Sequence, residues 1–461
     1  KNSIFSPNHS DRKGTLMYSK IFDPKFRNSI FIFWVLVLIF SVFGMKNIRT
    51  ISDMRDNISP QDSLRIATEY HENFFPTDDS VIIVLSSDIG PLLNNRSFDI
   101  IQTITLDLQS ISNNIRVNSL TNFLRVIVDG NDISITELHE SEPFDKNRFS
   151  RLLKYSLSES EITNNLVDSS GSVAKIYAQF QVQSDQDAVK TLKHVQEILK
   201  SYENNHADHE IYLAGRITTN QEFASLSRKD IGVLTLTGYL SMFVLCFLFC
   251  KNLRTVLGIV ITIFFSVLVS FGISGWFGAT ISPLVGFAQA LILTLAVADC
   301  IHILHKYKQN VRSGIEHFES RTLAIEQCLK PISITTITTI IGFISLNFTS
   351  SPTVQTFANI AALCTFIAYL MSITVFCLFI SSKEGSWEFV IILESFFLDV
   401  VSFTRKHAFL TLSLTSMFFI TSLIGLEKIV FDGSPVDYFP EDNEVRRAVE
   451  FTSEHNIGVQ A

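Results

Sequence analysis

Seven blocks of apolar sequence, at 29–45, 231–250, 255–275, 283–304, 332–347, 354–380 and 408–426, constrain this chain more than any other feature. A helix needs about 17 to 25 apolar residues to cross roughly 30 Å of hydrocarbon. A segment in lipid must also satisfy its backbone hydrogen bonds internally, so each block is expected to be an α-helical span. Apolar residues make up 47% of the chain and are gathered in these blocks instead of being spread as in a soluble core. The expected class is a polytopic α-helical membrane protein. No small-residue cleavage site follows the first block, where Met45, Lys46 and Asn47 stand, so it reads as a retained span and not as a signal peptide.

Basic residues orient the spans. Lys1, Arg12, Lys13, Lys20, Lys25 and Arg27 precede the first one, against Asp11 and Asp23, which makes 1–28 a cytoplasmic segment. By parity the basic connections 251–254 and 305–330 then fall inside, and the uncharged connections 272–282 and 348–353 outside. The organisation expected is a first span at 29–45, an external domain at 46–230, a five-span bundle at 231–380, a cytoplasmic-face amphipathic linker at 381–407, a seventh span at 408–426, and the start of a second external domain at 427–461. Residues 48–230 carry 27 acids and 17 bases, a balance that argues against nucleic acid as a partner. All six cysteines sit in or beside spans, which excludes a disulfide framework outside the membrane and makes them small buried hydrophobes.

The external domain alternates strand and helix patterns. Strands are expected at Ser80 to Asp88 and Arg116 to Phe123 with a helix at Ser97 to Asn114 between them. The cycle repeats as a strand at Val173 to Val182, a helix at Asp185 to Asn204 and a strand at Glu210 to Arg216. Two βαβ units point to two small ferredoxin-like α+β lobes. A longer repeat is visible as well. "ISPQDSLRIATEYHENF" (58–74) follows the first span and "YFPEDNEVRRAVEFTSEHN" (438–456) follows the seventh, with Pro60 matching Pro440, Asp62 matching Asp442 and, after one extra residue, Arg65 matching Arg446. Because the second copy stops soon after it begins and the chain opens on Lys1, the reading is an N-terminal half-fragment, with a second external domain and about five further spans to follow.

One acid interrupts the fourth block. Asp299 lies in "LTLAVADCIHILHKY" (Leu293 to Tyr307), followed by His302 and His305 at three-residue steps. An ionised carboxylate in mid-membrane costs between about 2.5 and more than 10 kcal/mol. A carboxyl out of water favours its neutral form, so the functional reading is a site that takes up a proton on one side and releases it on the other. The plainer reading is an ion pair with Lys306 or interfacial water. His302 is a candidate extension of a proton relay, as is His305, although the reading favoured for each is a solvated histidine at the span end. Three-residue steps are no known ligand signature, so no metal is expected. In the fifth block Thr335, Thr336, Thr338 and Thr339 either bond back to their own helix or face Asp299 as a polar strip, with Thr338 and Thr339 as relay candidates and Gly342 allowing close helix packing. No Walker loop, nucleophile elbow, HExxH or zinc pattern occurs, so no enzyme is expected.

These features together resemble the resistance-nodulation-division (RND) superfamily, closest to its MMPL and hydrophobe/amphiphile efflux branches, with a membrane region similar to the sterol-sensing domain of Patched-like proteins. Four features carry the resemblance: the topology of one span, an external domain and five spans begun again in tandem; "VADCIHILHKY" (297–307), similar to Gly-x-x-x-Asp-Tyr followed by Ile-His; "TTIIGFISL" (338–346), followed by Ser351 and Pro352; and the Phe-Pro-x-Asp at Phe439, Pro440 and Asp442. Leu295 and Val297 stand where the family has glycines, Cys300 where it has tyrosine, and Ala298 where the drug-efflux branch has a second acid. The resemblance implies an exporter of hydrophobic or amphiphilic molecules such as lipids. A proton gradient acting through Asp299 would drive it, with no cofactor, in a cell inner membrane with the external porter domain on the periplasmic side. A homo-oligomer or an accessory adaptor is the expected assembly. A non-transporting sterol- or lipid-sensing module and a protein-translocation motor are the alternatives.

Overall fold

The structure, a computed structural model, describes residues 24–50, 58–72, 74–75, 79–87, 92, 94–129, 131–142, 145, 147–203, 209–381, 388–429 and 435–457. It divides into two compact units. One comprises residues 1–59 and 227–430, the other 60–226 and 431–461.

The second unit is built on a four-stranded antiparallel sheet. After helix α1 (Pro24–Met45), which belongs to the first unit, come α2 (Ser63–Glu72), β1 (Ser80–Ser87), α3 (Asn95–Gln109), β2 (Asn114–Asn118), β3 (Leu124–Asp129), β4 (Asp132–Glu137), α4 (Arg148–Ser158), β5 (Val173–Phe180), α5 (Asp185–Glu203) and β6 (His209–Ala214). The sheet order is β2-β5-β1-β6, and β3 pairs with β4 as a separate hairpin. The two βαβ units expected from the sequence interleave into one sheet, because β5 inserts antiparallel between β1 and β2. The expectation of two lobes is thereby corrected to one. Merging lets the two central strands, β1 and β5, bury both faces, which a two-stranded lobe cannot do.

Strand β1 shows the physical logic. Its run "SVIIVLSS" is buried throughout, and side chains alternate across a strand. Val81, Ile83 and Leu85 join the core made with α3 and α5, whereas Ile82 and Val84 face a second cluster with Val173, Ala214, Ala448 and Ile457. The last two come from the far end of the chain, where α13 (Glu444–Glu454) covers the back of the sheet beside β6. Tyr212 stacks on Phe451 at 4.6 Å between ring centres, and Asn443 donates from Nδ2 to Glu222 Oε1 at 2.9 Å.

The sequence repeat reappears as structure. Helices α2 and α13 carry the same ion pair one turn apart, Arg65–Glu69 and Arg446–Glu450, each at 2.7 Å. Asp62 accepts from the Leu64 N–H at 2.9 Å, and Asn443 accepts from the Val445 N–H at 2.9 Å. The helix cap therefore equates Asp62 with Asn443, not with Asp442, and the extra residue lies between proline and cap. The two helices differ in surroundings. Val445, Ala448 and Thr452 of α13 are buried, whereas α2 buries none of its residues.

Gly215 takes a φ of 97° as the chain leaves β6, with its Cα against the Ser80 carbonyl, where a Cβ would collide. From there α6 (Arg216–Cys250) runs for 35 residues and enters the first unit. That unit contains α7 (Leu253–Trp276), α8 (Ala288–Arg312), α9 (His317–Ser345), α10 (Pro352–Met371, extended by a π-helical turn at Ser372–Phe376), α11 (Glu388–Lys406) and α12 (Ala408–Leu426). Seven helices among the described residues are long and apolar enough to cross a membrane. They match the seven blocks read from the sequence, with only Pro283 and Ile380 falling outside.

Packing among the spans follows residue size. At one end of α1, Gly44 meets the Gly272 carbonyl of α7 and Gly275 meets the Gly44 carbonyl, so the two backbones touch. Small residues make such an approach possible in lipid, where no hydrophobic drive holds helices together. The Trp276 indole locks the crossing by donating to the Phe40 carbonyl at 2.9 Å and stacking on its ring at 5.0 Å. Gly342, by contrast, has nothing within 4 Å of where its side chain would begin, so the close packing expected there is absent. Among the described residues α12 buries none of its side chains.

Candidate functional site

The centre of the bundle is apolar. Ile292, Ala296, Cys300, Ile303 and Leu304 turn one stripe of α8 into the common core, along with buried Ile259, Ile360, Cys364 and Phe376. Asp299 is next to Cys300 in sequence and so projects about 100° away from that stripe. It is half-buried and lines a cavity of 340 Å³ between α8 and α9, closed in part by Thr365 of α10.

Helical spacing decides what shares this cavity. Steps of three and four residues bring Leu295, Asp299, His302 and Lys306 onto one face of α8, and all four line the cavity together with His305. From α9 come Gln327, Cys328, Pro331, Thr335, Thr336 and Thr339. Thr338 does not line it, because α-helical geometry places that residue about 60° from Thr335, on the side away from Thr336 and Thr339. Its hydroxyl donates to the Ile334 carbonyl at 3.0 Å and to the Thr335 carbonyl at 2.9 Å. Thr338 therefore stands outside the lining of the cavity that holds Asp299.

Thr339, which does line the cavity, donates to the Thr335 carbonyl at 2.8 Å, and Thr335 donates to the Ile332 carbonyl at 2.8 Å. Both readings of the threonine run therefore hold at once. The hydroxyl hydrogens are spent on the helix, while the oxygens remain able to accept a hydrogen bond from a protonated carboxyl.

Asp299 itself has no hydrogen bond or ion pair with any described residue. Lys306 does not pair with it; its ammonium donates to Gln309 Oε1 at 2.9 Å. Cys328 closes the α8–α9 contact by reaching the His302 carbonyl at 3.5 Å. Proline at 331 lacks the N–H that would bond the Gln327 carbonyl one turn back, which leaves extra polarity in the cavity wall and a weak point in α9. Sequence reasoning assigned no role to Gln327, Pro331 or Thr365. The available signal was a proline and a glutamine within or next to an apolar block.

The arrangement offers one carboxyl without a counter-ion, two imidazoles and an ammonium around one small space in the span region. Among the described residues no group of three His, Cys, Asp or Glu side chains is gathered so as to hold a metal ion. A proton is the smallest thing such a carboxyl can bind.

Two comparisons with known proteins bear on what this cavity serves. A family model described as the MMPL family matches residues 54–388, more than half of the chain and including the four sheet strands and the residues that line the cavity. No curated protein matches it.

Proposed function

The chain belongs to the MMPL family, within the RND superfamily of multi-pass membrane transporters, and from that premise we propose that it exports hydrophobic or amphiphilic molecules, lipids among them, using a proton gradient taken up at Asp299. The observation that carries this reading is the carboxyl of Asp299 in a 340 Å³ cavity with no ion pair. An uncompensated charge there is expensive, and protonation removes the expense. A charge carried through 100 mV yields about 2.3 kcal/mol, comparable to the few kcal/mol separating two conformations of a bistable protein. His302 and His305 line the same cavity on the side of Lys306, where they can pass protons toward the basic, cytoplasmic end.

For the cargo, the reading is supported by a second cavity of 490 Å³ between α6 and α8, walled by Leu234, Met242, Leu245, Phe249 and Leu293. Gln289 donates to Thr235 Oγ1 at 2.5 Å at its edge. A mostly apolar space with a few polar side chains, Ser241 and Thr294 besides this pair, suits a molecule with a small head and a greasy body. The external unit is read as the porter domain, facing the periplasm; its split βαβ sheet is consistent with a ferredoxin-like lobe.

Reconstituted vesicles loaded with a fluorescent phospholipid analogue test the proposal. The wild-type chain is expected to move the analogue only under an imposed pH gradient, and Asp299→Asn to lose at least about tenfold in rate, the equivalent of 1.4 kcal/mol, while inserting normally. Equal rates in the two proteins, or transport indifferent to the gradient, would refute the proton reading.

A further inference from the structure

Away from Asp299, the bundle unit has a larger cavity whose chemistry is different. It holds 640 Å³ between α1, α7 and the end of α10, within the range of about 300 to 1,000 Å³ typical of small-molecule sites. Its walls include Phe31, Trp34, Phe265 and Phe379, and among the described residues its lining contains no acid. Two arginines stand at one end, Arg27 of α1 and Arg254 of α7, both exposed.

The cavity follows from how α1 and α7 pack. Glycines bring the helices together at Gly44 and Gly272, while bulky side chains hold them apart toward Arg27 and Arg254. The result is a wedge open at the arginine end. From Arg27 to Leu38 the α1 wall extends for about 17 Å at 1.5 Å per residue, close to the roughly 15 Å depth of one leaflet's hydrocarbon. The π-helical turn at Ser372–Phe376 forms part of the wall, and there the Trp34 indole donates to Thr374 Oγ1 at 3.1 Å. That bond fixes the ring within the cavity instead of at the interface.

We propose that this wedge is a binding site for an anionic phospholipid, with the phosphate held between Arg27 and Arg254 and one acyl chain lying along α1. Charge complementarity argues for this occupant. Among the described residues neither guanidinium pairs with a carboxylate, Arg254 reaching only the Leu378 carbonyl at 3.5 Å, and arginine forks match phosphate oxygens in pairs. The apolar depth excludes a free anion as the natural filling. Basic residues at this end also place the mouth at the cytoplasmic leaflet, where anionic lipid is concentrated. The inference is independent of the proton reading.

The test uses the full chain in mixed micelles containing phosphatidylglycerol or phosphatidylcholine brominated on the acyl chains. Quenching due to Trp34 is the difference between wild type and Trp34→Phe. It should be greater with brominated phosphatidylglycerol at equal mole fraction, and the preference should fall at least about tenfold in Arg27→Gln/Arg254→Gln. Arg27→Lys/Arg254→Lys should retain part of it. Val35→Trp, in a Trp34→Phe background and read as retention of phosphatidylglycerol by native mass spectrometry, should fill the wedge and expel lipid with the charges intact. Equal quenching by the two lipids, an unchanged preference in the glutamine variant, or displacement by millimolar inorganic phosphate would each overturn the proposal.

Discussion

At the scale of single residues, the chain shows how differently lipid treats small and charged side chains. Gly272 is required by contact: a side chain there would meet Ser41 of α1. Gly272→Leu is expected to force α1 and α7 apart and to destabilise the bundle by about 1–3 kcal/mol, as overpacking does elsewhere. Thermal unfolding in detergent reads this as a lower midpoint, and an unchanged midpoint would mean the crossing contributes nothing. Asp299 could be picked out from the sequence because an acid within an apolar block is conspicuous. Its neighbours in space were only partly legible. His302, His305 and Lys306 follow from helical spacing on the same helix, whereas Gln327, Pro331 and Thr365 belong to other helices, and no periodicity within α8 can indicate what packs opposite it. Thr338 lies outside the cavity lining for a related reason, since a run of four threonines covers more of the helix circumference than one cavity can see.

At the scale of elements, the six strands and helices of the two βαβ units lie within a few residues of their expected positions. The hairpin β3–β4 and helix α4 were missed. The hairpin's sequence, "LRVIVDGNDISITE", has an Asp-Gly turn signal flanked by alternating residues, but its apolar side chains Leu124, Val126, Val128, Ile133 and Ile135 are exposed and stand outside the core. What anchors this insertion is electrostatic. Glu142 accepts from Arg125 at 2.8 Å and also pairs with Arg151, which reaches Asp145 at 3.0 Å. The hydrogen bond from Arg125, then that from Arg151, holds the Glu142 carboxyl below its ordinary value despite partial burial, which acts the other way. A carboxylate with a lowered folded-state pKa contributes stability that is complete above its unfolded value, near 4.5, and is lost as pH falls through the folded value. Glu142→Gln should therefore lower the stability of the external unit by about 1 kcal/mol at neutral pH. The difference from wild type should shrink and vanish in melts as pH falls through the lowered folded-state value. A gap that persists in acid would point to packing, not charge.

On the scale of the whole molecule, the seven spans were the most legible feature, because span length is set by the bilayer and not by the fold. The merging of two lobes into one sheet was illegible, since strand order depends on pairings between residues some 90 positions apart. The proposed orientation makes a direct prediction. All six native cysteines are buried and free, so background labelling of intact cells or spheroplasts by a membrane-impermeant maleimide should be low. Lys200→Cys in α5 should react from outside, and Arg312→Cys at the end of α8 only after permeabilisation. The reverse pattern would invert the topology and with it the direction of proton entry.

The helix that seals the back of the sheet is encoded about 230 residues after the last strand it covers. At synthesis rates of about 5–20 residues per second, on the order of ten to fifty seconds separate the two. During that interval Ile82, Val84 and Ala214 lack the cover that α13 provides, while six spans are still being threaded into the bilayer. Biogenesis of this protein thus includes a window in which a half-dressed greasy surface must be shielded by a chaperone or by the membrane itself, and cells short of such help should accumulate it as aggregate before any defect in transport is seen.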